Sequence, residues 1–263
     1  MASIAASEDE VAAVLADAGD PADIAAVNGP ASVVVSGAEE AVLAVAAAFA
    51  DRGRRTKRLP VGHAFHSRLM EPMLEEFGEV VSGLSFHPAR IPVFSDVSGD
   101  FAGTGEMRAP EYWVRHVREP VRFAAMVRRA AVLGAGAFLE LGPDASLSAM
   151  ARDCLEAAGG DDAGTAPGDP VCVPVLRKDR PEPETLTTAL AELYVRGTHV
   201  DWAACSPERE RAASTCPATR SSGGPTGCPP ARPAGGTQPA WASLRSGTRS
   251  WPPWRTGPTA AAP

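Results

Sequence analysis

Apolar positions alternate at the start of the chain and then repeat with helical spacing, so residues 1–61 read as six elements in the order βαββαβ. An apolar start at residues 2–6 leads into a helix over 7–18, strands near 24–27 and 32–35, a helix over 38–51 and a strand near 56–61. This is the split βαβ order of a ferredoxin-like unit. Both helices are expected to open with a capping box, Ser7-x-x-Glu10 and Ser36-x-x-Glu39, in which serine and glutamate side chains satisfy otherwise orphaned amides. Gly53 supplies a stop for the second helix. Between the central strands, Asn28-Gly29-Pro30 predicts the turn, because Asn and Gly tolerate positive φ and Pro presets its own.

Helical spacing resumes at Leu69, Met70, Met73, Leu74, Phe77, Val80, Val81 and Leu84, and residues 91–94 read as a buried strand. Further helices are expected over 110–117 and 121–133. A short apolar run at 137–141, closed by Gly142-Pro143 and followed by a helix over 145–157, is strand, turn and helix in the α/β manner. The Asp/Gly/Ala/Pro stretch at 159–169 predicts a linker. Beyond it come a strand at 171–176 and an amphipathic helix at 183–196 that ends at Gly197.

Composition narrows the function classes. With 44% hydrophobic residues, a formal charge of −7 and no apolar run of membrane-spanning or signal-peptide length, the chain reads as soluble and cytoplasmic, without a membrane partner. Charge is unevenly placed. Residues 205–263 hold seven Arg against two Glu, net +5, which leaves 18 basic and 30 acidic residues, net −12, in residues 1–204. That balance argues against nucleic acid as a partner of the folded part. Five Cys, only Cys154 and Cys172 of them before residue 205, with no CxxC pair, support neither a disulfide framework nor a zinc site. A basic cluster, Arg52, Arg54, Arg55, Lys57 and Arg58, interrupts the acidic part and reads either as a solvated face or as a landing site for an acidic partner.

The candidate chemistry lies in Val61-Gly62-His63-Ala64-Phe65-His66-Ser67. His63 and His66 form an HxxH pair, but Pro60 and Gly62 place it in a loop, and no third ligand is near in sequence, so no metal is expected. Ser67 reads as the N-cap of the helix beginning at Arg68 rather than as a nucleophile. This segment resembles the signature around the histidine of acyltransferase domains from type I modular polyketide synthases. The segments AAVNGPASVVVSG from Ala25, PVFSDVSG from Pro92, YWVRHVREPVRF from Tyr112, FLELGP from Phe138 and VPVLRKDRPE from Val173 resemble, in order, further blocks of the same domains and of the linker that follows them. The resemblance covers about residues 2–204.

It implies an α/β (α+β) fold: a ferredoxin-like subdomain at 1–61, the C-terminal part of an α/β-hydrolase-like core at 62–158, and a post-acyltransferase linker at 159–204. The implied chemistry is two-step transfer of a malonyl unit, first from malonyl-CoA to a serine and then to the phosphopantetheine arm of an acyl carrier protein. No cofactor is bound, and the coenzyme A thioester is substrate. By the motif, His66 is the base that takes the serine proton and returns it to the leaving thiol, a role that suits imidazole. His63 and Phe65 mark substrate choice, since the HAFH form accompanies malonyl units and a YASH form methylmalonyl units. A single methyl in a hydrophobic pocket is worth roughly 1–3 kcal/mol of discrimination. Arg54, Arg55 and Lys57 are the candidate contacts for carrier protein or coenzyme A phosphates.

The family's serine sits in a GHSxG elbow, and no serine among these 263 residues has glycine both two before and two after it. The chain is therefore expected to be the C-terminal part of an enzyme and inactive alone, or else a non-catalytic carrier-protein docking module. Residues 205–263 hold eleven Pro and no Val, Ile, Phe, Tyr or Met, and are expected to be disordered. Back-translated and read one frame over, residues 215–229 permit LP-(G/S)-YAFQRRAYWLP and residues 246–257 permit GHPLLAAVADG, which resemble the end of the post-acyltransferase linker and the start of a dehydratase domain. A frame slip near Ala204 and Cys205 is the expectation, in a parent synthase that also carries ketosynthase and dehydratase domains. Resequencing the gene across that point tests it, and an unbroken original frame would remove the idea.

Overall fold

The computed structural model describes residues 1–18, 22–103, 105–158 and 170–205. Two compact units divide the chain at His199 and Val200. The expected linker at 159–169 and all of the expected tail except Cys205 lie outside the described residues. Of the second unit only residues 200–205 are described, with helix α8 (Trp202–Cys205) and the Ala204 amide donating to the Asp201 carboxylate.

In the first unit, β1 (Ala2–Ile4), α1 (Glu8–Ala18), β2 (Ala22–Gly29), β3 (Ser32–Gly37), α2 (Glu39–Asp51) and β4 (Thr56–Arg58) build one antiparallel sheet in the order β2-β3-β1-β4. That is the ferredoxin-like arrangement. Strand periodicity puts Ala2 and Ile4 of β1 and Val33 and Val35 of β3 on the helix side, where they meet Val11, Val42, Val45 and Phe49, all essentially buried. Each such side chain contributes roughly 1.5–3 kcal/mol of burial.

The expected capping box at Ser7 forms, with the Ser7 amide donating to Glu10 at 2.9 Å and the Glu10 amide to the Ser7 hydroxyl at 3.3 Å. The one expected at Ser36 does not. Ser36 is still on β3, fully buried with its hydroxyl unpartnered, and α2 starts at Glu39 after an uncapped Ala38. Glu39 turns instead to Arg58 at 2.7 Å. Gly53 ends α2 as expected, at φ +74°, where its amide donates to the Ala50 carbonyl. The hairpin turn sits at Pro30 and Ala31, one step later than Asn28-Gly29-Pro30 suggests, because β2 carries register shifts and runs on to Gly29 without a positive φ. β4 stops at Arg58 rather than near 61, where Pro60 can donate nothing to an edge ladder.

The rest of this unit is layered on β2. A 3-10 turn at Arg68–Met73 holds Pro72 and delays the helix expected from residue 69 until α3 (Leu74–Ser82). The segment at 91–94, read as a buried strand, is largely exposed: Ile91 keeps 76% of its surface, and only Phe94 joins the short hairpin of β5 (Phe94–Ser95) and β6 (Asp100–Phe101). Among the described residues no strand lies beside Ile91–Val93 to cover it. Helices α4 (Pro110–Arg118) and α5 (Phe123–Val132) follow. β7 (Ala137–Glu140) and β8 (Val171–Pro174), both expected as strands, then pair in parallel. Between them α6 (Ser146–Ala158) starts on the Glu140 carboxylate, which accepts from the Leu147 and Ser148 amides. Ala124, Val127, Ala151, Cys154 and Cys172 close a second apolar cluster against Val27 of β2. A third is formed by α7 (Glu182–Val195) on β8.

Candidate active site

Pro120 decides the geometry around His66. A residue before proline is pushed out of the helical region, so Glu119 adopts φ −81°, ψ 154° and ends α4. Its carbonyl thereby leaves the helix. The His66 Nδ1 lies 2.7 Å from that oxygen, and the His66 amide donates to the Val117 carbonyl at 3.0 Å. A carbonyl can only accept, so Nδ1 carries a proton, and in the neutral ring Nε2 is then the acceptor. His66 itself sits at φ +60°, a left-handed conformation uncommon outside glycine, and is half-buried.

Ser67 completes the turn. Fully buried, its hydroxyl donates to the Ala64 carbonyl at 2.6 Å and accepts from the Leu69 amide at 3.3 Å, so it is the N-cap that the sequence suggests. The His63 and Phe65 rings stand 5.7 Å apart on the outer side of the loop, with Phe65 46% exposed. His63 and His66 thus share a loop and not a helix face. Among the described residues no three His, Cys, Asp or Glu side chains cluster as metal ligands would.

The residue-by-residue reading did not foresee the polar group beside His66. The His116 ring lies 6.1 Å away, edge-on, with its Nε2 2.9 Å from Asp96. Tyr112 reaches the Ser95 hydroxyl at 3.1 Å and Asp96 at 3.5 Å. Burial, reinforced by the Asp96 charge, holds the Tyr112 phenol above its ordinary value, so it stays protonated. The signal was present in the segments from Pro92 and Tyr112, but their pairing is a tertiary fact.

The basic cluster is less free than its sequence suggests. Arg54 pairs with Glu10 at 2.6 Å, Arg58 with Glu39, and the Arg52 guanidinium lies 5.4 Å from the Phe49 ring. Arg55 and Lys57 are exposed and make no ion pair among the described residues. A cleft of about 370 Å³ between Glu39, Val42, Arg58, Val61, His63 and Leu69 joins the edge of this patch to the His63 loop.

The family profile of the acyl transferase domain matches residues 1–200. The chain belongs to that family. It resembles the acyltransferases of type I modular polyketide synthases: it is 48% identical over 208 residues to the spectinabilin polyketide synthase system protein NorB of Streptomyces orinoci, covering 79% of this chain and 9% of that protein. Over 206 residues it is 52% identical to polyketide synthase GfsB of Streptomyces halstedii, covering 78% and 4%. The solved acyltransferase domain from the second module of the salinomycin polyketide synthase matches at TM-score 0.68 and 46% identity, over 78% of this chain and 45% of that domain. The acyltransferase chain thus spans somewhat under half the length of that solved domain and a small part of the curated synthases. Among the described residues no helix is long and apolar enough to cross a membrane.

Proposed function

We propose that this chain is the histidine-bearing portion of an acyltransferase that moves a malonyl unit from coenzyme A to the phosphopantetheine arm of an acyl carrier protein, and that it does not catalyse transfer alone. The observation that carries the reading is the His66 ring, with Nδ1 held by the Glu119 carbonyl and no hydrogen bond to Nε2 among the described residues. A serine hydroxyl presented to Nε2 loses its proton as its oxygen attacks the thioester. The imidazolium then returns that proton to the departing coenzyme A sulfur, and the second transfer runs the same steps toward the carrier thiol. The serine belongs to sequence this chain does not contain. The exposed Ile91, Leu139 and Leu141 support an apolar face that another part of an acyltransferase core would cover. Ketosynthase and dehydratase domains are the expected neighbours in the parent synthase, and the cytoplasm its compartment.

The test is a hybrid in which residues 1–200 replace the matching part of the salinomycin second-module acyltransferase domain. A folded hybrid that carries the serine yet transfers no malonyl, while its parent does, would refute the reading. In the same hybrid Phe65 is expected to limit the room for an α-methyl. Phe65→Ser should narrow the malonyl over methylmalonyl preference in kcat/KM by roughly 10-fold or more, the worth of one methyl. An unchanged ratio would assign selectivity elsewhere.

A second reading, a carrier-protein docking surface, is favoured by the exposed Arg55 and Lys57, since single-sign patches steer oppositely charged partners. Arg54, held by Glu10, and the coenzyme A phosphates are secondary to it. The double variant Arg55→Glu, Lys57→Glu is expected to weaken carrier-protein binding about 10-fold or more at low salt, and less at high salt. Equal affinities by calorimetry would leave the patch a solvated face.

A further inference from the structure

One carboxylate of the ferredoxin-like subdomain reaches both segments that hold His66. Asp23, near the start of β2 and with only 17% of its side chain exposed, accepts from the Arg68 amide at 2.8 Å and from the Arg68 guanidinium at 3.2 and 3.1 Å. It also lies 3.6 Å from the Arg118 guanidinium. Arg68 is two residues past His66. Arg118 stands between Val117 and Glu119, whose carbonyls hold the His66 amide and ring. The same stretch is tied to β2 by backbone, since Val27 donates to Val121 and Val121 to Ala25. Arg118 further pairs with Glu71 in the turn after Ser67, and Arg122 with Glu8 of α1.

The left-handed backbone at His66 persists only where its surroundings over-determine it. The Arg68 amide bond to Asp23 pins the chain just after the strained residue, while the Arg118 contact pins the segment bearing the acceptor carbonyl. We propose that Asp23 is a positioning residue for the acyl-transfer histidine, holding Glu119 and His66 at the separation that keeps the proton on Nδ1 and Nε2 free. The catalytic meaning rests on the reading of His66 as base; the positioning itself does not. Although burial works against the charge, hydrogen bonds from Arg68 and the nearby Arg118 outweigh it and hold the Asp23 carboxyl below its ordinary range, so the brace is charged at neutral pH.

The experiment reads the tautomer directly, by long-range nitrogen–proton NMR on the full chain with labelled histidine, the His66 signals being assigned by their loss in His66→Gln. Asp23→Ala is expected to lower the ratio of Nδ1–H to Nε2–H forms by about fivefold, the worth of one net hydrogen bond, with isosteric Asp23→Asn in between. Arg54→Gln, which breaks the ion pair to Glu10 elsewhere in the subdomain, should leave the ratio unchanged. If both Asp23 variants melt lower, as Arg54→Gln does, and yet keep the wild-type ratio, Asp23 is merely another ion pair and the proposal is overturned. Should Asp23→Ala not fold, Asp23→Asn decides alone. Because this readout needs no turnover, a negative result speaks only of Asp23, whereas the role of His66 as base is judged in the hybrid enzyme.

Discussion

Exchanging His66 for Gln in the salinomycin hybrid is expected to lower malonyl transfer by about 10³–10⁴-fold, the upper part of what a positioned acid–base group contributes. Gln is the informative replacement. Its carboxamide takes the place of Nε2 without its basicity, and the backbone amide at 66 keeps its bond to the Val117 carbonyl, so the loop and its left-handed residue have reason to stay in place. What disappears is a group that can accept a proton from serine at neutral pH and return it to a thiolate. The loss should therefore fall on kcat for both half-reactions, with KM for malonyl-CoA little changed, the pattern of an interaction made only in the transition state. Stopped assays of coenzyme A release and of carrier-protein loading measure the two halves separately. A decrease of less than about tenfold in both would show that another residue is the base.

The chain by itself is expected to take no stable label from radioactive malonyl-CoA, where the hybrid should become acylated. Among the described residues, the serine beside the base and both cysteines are engaged elsewhere. Ser67, next to the base, is fully buried and spends its hydroxyl on the Ala64 carbonyl and the Leu69 amide. Cys154 and Cys172 are buried in the second apolar cluster, and burial pushes both thiols above their ordinary value, so the reactive thiolate is scarce. Among the described residues no hydroxyl or thiol hydrogen-bonds the His66 ring. Removal of a nucleophile costs a serine enzyme nearly all of its rate, on the order of 10⁶-fold, so the contrast with the hybrid should be of that scale. Acid-stable label on the isolated chain, abolished by His66→Gln, would show a nucleophile of its own and end the view of it as one portion of a larger site.

The sequence was read best where a local rule and the fold agree. Ser7 and Glu10 form the capping box their spacing predicts, Gly53 takes the positive φ that ends α2, and Ser67 caps the turn after His66. It was read worst where a local rule met a neighbour distant in sequence. Ser36 has the spacing of a second capping box, yet the ladder to β2 keeps it in β3 through Gly37 and leaves Glu39 to Arg58. The run at 91–94 has the composition of a buried strand, but composition reports what a segment needs: only Phe94 pairs, with β6, and residues 91–93 stay exposed. The basic cluster looks like one patch, but Glu10 and Glu39, brought to it by the packing of α1 and α2, take Arg54 and Arg58, and Arg52 lies by the Phe49 ring.

The candidate site divides in the same way. The order of hydrophobic periods was enough to specify the βαββαβ subdomain, since strands and helices that bury one face each have few ways to share a core, and the HAFH segment makes His66 the candidate only together with the ordered blocks that resemble the family around it. Sequence also set the end of α4, because Pro120 disfavours a helical conformation at Glu119. That the freed carbonyl should meet His66 Nδ1, 53 positions away, was decided only by the tertiary structure. So was the bracing of both segments by Asp23, and the Ser95, Asp96, Tyr112 and His116 group beside the ring. Hydrogen bonds act over about 3 Å, whereas sequence patterns report which surfaces must be buried and not which polar atoms then face one another.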